Sequence, residues 1–125
     1  MKNKEKRLVV IDSARKIQYL LNDKTTSEVL DIAERYANNE ATDSDLDAVR
    51  QIAKTAGIKA SADWHGEYIN EFYDKFFASI MVFAACVKDS DEALSISYNA
   101  IIGAIDGLNY KTSPTGYVSK FTLLK

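Results

Sequence analysis

Pro114 is the only proline in the chain, and it falls near the C-terminus. A proline inside a helix removes a backbone donor and clashes with the preceding turn. Nothing of that kind interrupts the first hundred or so residues. Apolar residues recur there at helical spacing, from about residue 7 to about residue 109, and β-branched residues rarely alternate with period two. The chain is therefore expected to be all-α: a single-domain bundle of about five helices, with a flexible basic arm over residues 1–6 and a short irregular tail over residues 110–125.

A chain of 125 residues suits one domain, able to bury about two-thirds of the surface its unfolded form exposes. The hydrophobic share is 46% and the charged share 27%, both ordinary for a globular protein and too apolar for intrinsic disorder. A net charge of −2 argues against a duplex-binding protein, whose phosphate contacts need concentrated Lys and Arg. Cys86 is the only cysteine, so no intramolecular disulfide can form. Its setting, Phe83-Ala84-Ala85-Cys86-Val87, suits a small buried hydrophobe better than a reactive thiol. The apolar run Leu8 to Ile11 is too short for a signal-peptide core, and Phe76 to Val87 is too short to span a bilayer. A cytoplasmic location is the expected default.

Five helices are expected. The first runs from about Lys6 to Asn22, with Leu8, Ile11, Ile17 and Leu21 on one face. Thr25 and Glu28 fit a capping box for the second, in which each side chain satisfies an orphan backbone N–H of the other; Val29, Ile32, Ala33 and Tyr36 form its apolar face, and Asn38-Asn39 ends it. Thr42 caps the third, with Asp43 and Asp45 in the first turn where the helix dipole favours carboxylates. Its stripe is Leu46, Val49, Ile52 and Ala53, and Gly57 is the expected stop. The fourth region extends from Ala60 to Lys88, about 43 Å at 1.5 Å per residue, with a break expected near Gly66. Apolar nearly all round from Phe76 to Val87, it should be the central helix. Ser90 caps the fifth, from Asp91 to Leu108, with Ala93, Leu94, Ile101, Ile105 and Leu108 in its core. Gly103 inside a helix costs about 1 kcal/mol relative to Ala, which close approach to the Phe-rich fourth helix would offset.

The stretch from Val29 to Leu46, with Ala33-Glu34-Arg35-Tyr36-Ala37-Asn38-Asn39-Glu40-Ala41-Thr42 at its centre, resembles the "AL-x-x-A-E-R-Y-A-x-G-E-A-T-x-x-E-L" segment of a family of Ala-rich helical proteins. These occur in bacteriophages and bacteria, and some are labelled immunity proteins. The likeness spans about residues 8–48. Asn39 stands where that family has glycine, and Asn is among the few residues that tolerate a left-handed conformation. The resemblance implies a phage or bacterial accessory protein that acts by binding a host or bacterial protein, and it brings no catalytic residues with it.

Three constellations could carry function. Trp64, Tyr68, Phe72 and Phe76 recur at i, i+4. Trp64 and Tyr68 sit at the polar end beside Glu67 and Glu71, and amphipathic aromatics of this kind are enriched at interfaces. Trp64, Tyr68, Glu67 and Glu71 are therefore the expected partner-binding residues. Lys2, Lys4, Lys6 and Arg7, followed by Arg15 and Lys16, offer an alternative nucleic-acid-binding arm. Asp63, His65 and Glu67 offer a third reading, a metal-dependent enzyme, with Glu71 and Asp74 extending the acidic line. His65 is the only histidine, and the Glu-x-x-His and His-Glu-x-x-His spacings of metal-binding helices are absent. No nucleophile elbow or phosphate-binding glycine loop occurs. No catalytic residue, metal or cofactor is expected, and a homo-oligomer is compatible with the pattern.

Overall fold

The structure is a computed structural model that describes residues 2–21, 24–62 and 69–110, with side chains described over 2–21, 24–57 and 75–104. Among the described residues there are five α-helices and no strand: α1 Asn3–Ile17, α2 Lys24–Ala37, α3 Asp43–Ala62, α4 Ile69–Ala85 and α5 Ser90–Tyr110. A 3-10 turn, Gln18–Leu20, follows α1. No helix among them is long and apolar enough to cross a membrane.

Helix α4 is central, as its all-round apolar character required. It packs against α5, α3, α1 and α2 in turn, and Ala78, Met81, Val82 and Ala84 to Val87 are buried. Helix α1 contributes more to the core than its expected stripe implied. Val10, Ile11, Ala14 and Ile17 are buried, at the i, i+3/i+4, i+7 spacing that places one face against a neighbour. Leu8 and Leu21 are only half-buried. The core face of α5 is built from small residues. Ala93, Ser97, Ala100 and Ala104 are buried, while Leu94 and Ile101 flank them half-buried; Ile105 and Leu108 lie outside the described side chains. The small face lets α5 approach α4 closely. A Cβ built on Gly103 would lie 3.0 Å from Phe77 Cε1, so the expected close approach is present.

Helix ends follow local chemistry, with four corrections. The Thr42 cap is as expected: Asp45 N–H donates to Thr42 Oγ1 at 3.1 Å, and Thr42 N–H donates to Asp45 Oδ2 at 2.9 Å. Asn39 has φ 61° and closes α2, with Glu40 N–H donating to Arg35 O at 2.7 Å and Asn39 N–H to Tyr36 O at 3.1 Å. These are the two bonds of a Schellman motif, which needs a left-handed residue at this position.

The corrections are these. Helix α2 begins at Lys24, so Thr25 lies inside its first turn instead of capping it. Helix α3 continues through Gly57, which does not take the left-handed conformation of a C-terminal stop; Gly57 packs beside Ser79 of α4 instead. The cap of α5 is Asp89, whose Oδ1 accepts from Glu92 N–H at 2.9 Å; Ser90 is the first helical residue. The fourth region does not start at Ala60, since Ala60 to Ala62 belong to α3, and α4 is described from Ile69 to Ala85. The expected break near Gly66 falls outside the described residues, as does the tail 111–125.

Candidate functional site

The expected partner-binding residues Trp64, Glu67 and Tyr68 lie outside the described residues, as do Asp63 and His65. Glu71 belongs to α4, as does Asp74; the side chains of both lie outside the described set. What the structure supplies is the frame around them. Helices α3 and α4 pack together, and the Gly57–Ser79 approach with the Asp47–Lys88 ion pair at 3.4 Å shows that they run antiparallel.

Near its middle, α3 carries an apolar slot on each flank. Val49 and Ile52 turn towards α2 and, with Val29 and Ile32, line a slot of about 390 Å³ with Glu28 and Asp31 at its edge. Ala53 and Gly57 turn towards α4 and, with Phe76, Ile80 and Phe83, line one of about 280 Å³ with Lys54 at its edge. The sequence spacing causes this. Residues 49, 52, 53 and 57 share a broad helical face, too wide for α2 and α4 to cover completely. Ile52, expected in the core stripe, is 44% exposed. Phe76, expected to be buried, is half-buried at the second slot, its ring edge-to-face with Phe77 at 5.3 Å between centroids.

The basic N-terminus is not an arm from Asn3 onward, where it forms the first turn of α1. Lys2 and Lys4 are exposed. Lys6 forms an ion pair with Asp91. Arg7 is turned inward, 4% exposed, in register with Val10, Ile11 and Ala14. Its Nη1 donates to Ala85 O at 3.3 Å and its Nη2 donates to Lys88 O, so a cation sits at the negative pole of α4. Burial lowers the Arg7 pKa from its usual value, opposed by the charge environment of Tyr36, Cys86 and Asp89. Further along α1, Arg15 is engaged with Asp31 and Glu34 of α2 at 2.9 and 3.0 Å. Two of the four candidate phosphate-binding cations thus serve the fold. Their role was hidden because it depends on where α4 ends in space; the signal was Arg7 falling on the core register of α1.

Beside Arg7 a polar cleft of about 630 Å³ opens where the starts of α1, α3 and α5 meet. Its carboxylates are engaged within the protein. Asp43 Oδ1 accepts from Tyr36 Oη at 2.7 Å, Asp91 pairs with Lys6, and Asp89 caps α5. The Asp43 hydrogen bond, with burial adding to it, raises the Tyr36 pKa. Cys86 is fully buried, and burial pushes its thiol up to about 12, which keeps it protonated and unreactive at neutral pH. Among the described residues, no group of three or more His, Cys, Asp or Glu is placed to hold a metal.

No protein-family model, no curated protein and no solved structure matches the chain.

Proposed function

We propose that this chain is a non-catalytic protein-binding accessory protein whose contact surface runs along α3 into the segment that follows it. The observation that carries this reading is the pair of apolar slots flanking α3, one of them holding the 44% exposed Ile52. Both lie on the helix that leads into the segment bearing Trp64 and Tyr68. Apolar and aromatic anchors backed by shallow pockets, with charged residues at the edge, are the usual composition of a protein interface core and rim. Glu67 and Glu71 would stand with Glu28, Asp31 and Lys54 among the rim charges. Placement in phage–host conflict or bacterial immunity, as an inhibitor of a host-defence or toxin protein, rests on the Val29-to-Leu46 resemblance.

The second reading is a nucleic-acid-binding regulator. It is favoured only by the exposed Lys2 and Lys4, because Arg7 is buried and Lys6 is paired with Asp91. The two readings separate on salt. Phosphate neutralisation makes nucleic-acid affinity fall steeply as salt rises, whereas an aromatic interface is much less sensitive. Anisotropy titrations with labelled duplex DNA and RNA should show no appreciable binding at about 0.15 M salt. Tight, salt-sensitive binding that is abolished by Lys2→Ala and Lys4→Ala together would replace the protein-binding reading with the nucleic-acid one.

A further inference from the structure

We draw no further inference here: the strongest candidate, the polar cleft where the starts of α1, α3 and α5 meet beside Arg7, is a convergence of helix N-termini whose carboxylates are already engaged within the fold, and nothing in the structure points to a ligand in it.

Discussion

The Arg7 guanidinium lies over the Tyr36 ring, 4.9 Å from its centroid, while its two terminal nitrogens donate to Ala85 O and Lys88 O. One side chain thereby ties α1 to the end of α2 and to the turn between α4 and α5. The ring face attracts the cation, and burial strengthens that attraction relative to an exposed pair. Tyr36 is itself held by its hydrogen bond to Asp43 at the start of α3. Helices α1 to α4 are therefore joined at one corner through three side chains, and the Lys6–Asp91 ion pair adds α5.

Arg7→Met keeps much of the apolar stem but removes both donors, leaving buried carbonyls at the end of α4 unsatisfied. The expected loss is about 2–4 kcal/mol, because hydrogen bonds from charged groups are worth more than neutral ones and orphaned acceptors carry a penalty. Arg7→Lys should recover only part of it, since an ammonium cannot reproduce the planar fork. Urea denaturation midpoints measure both. If Arg7→Met leaves the midpoint unchanged, the corner does not hold the bundle.

Gly103 of α5 sits against the Phe77 ring of α4. Gly103→Ala gains about 1 kcal/mol of helix propensity, but it places a Cβ 3.0 Å from the Phe77 ring. Overpacking of this kind costs about 1–3 kcal/mol, so the expected net effect is a loss of up to about 2 kcal/mol. Combining Gly103→Ala with Phe77→Leu should show favourable coupling in a double-mutant cycle, since the smaller side chain relieves the clash. Additive effects would mean that the two residues do not meet as described.

Asp45 supplies an acid-sensitive helix start. Hydrogen bonds from the Thr42 backbone N–H and the Thr42 hydroxyl hold its carboxyl below the ordinary value of 3.8. A folded pKa below the unfolded one means that folding favours the ionised form. The contribution is therefore present above 3.8 and is lost as pH falls through the depressed folded value. Asp45→Asn should be less stable than the parent at neutral pH, and the gap should close towards low pH as the parent carboxyl protonates. Paired denaturation series at neutral and acidic pH read this directly. A gap that stays constant or widens in acid would contradict the assignment.

Much of the fold was legible because its signals are local and periodic. The Thr42 capping box, the left-handed Asn39 and the central place of α4 each follow from a few neighbouring residues. The misses share a physical cause: the deciding contact lies far away in sequence. Gly57 resembles a helix stop until Ser79 packs beside it, and Arg7 resembles a surface cation until the end of α4 arrives at its head group. The start of α5 was displaced by one residue because Asp89 and Ser90 have nearly equal capping chemistry, and only backbone geometry chooses between them. The candidate site was the least legible part. Ile52 falls on the same helical face as the buried Leu46, Val49 and Ala53, and periodicity alone could not show that this face is wider than its neighbours cover.

The claim that α3 and the segment after it form a protein-binding surface is tested most directly by quantitative capture. The immobilised 125-residue chain would be exposed to extract of the cells in which it naturally occurs, at about 0.15 M salt. The parent would be compared with Trp64→Ala, Tyr68→Ala, Ile52→Asp and Lys4→Ala, each first shown by circular dichroism to retain its helix content. Truncating an aromatic anchor commonly costs about 2 kcal/mol or more, whereas a rim charge costs little at equilibrium. The account predicts that one protein is captured by the parent and by Lys4→Ala, and that Trp64→Ala, Tyr68→Ala and Ile52→Asp each bind it at least tenfold more weakly. Equal capture by all three of those variants, with loss confined to Lys4→Ala, would contradict it.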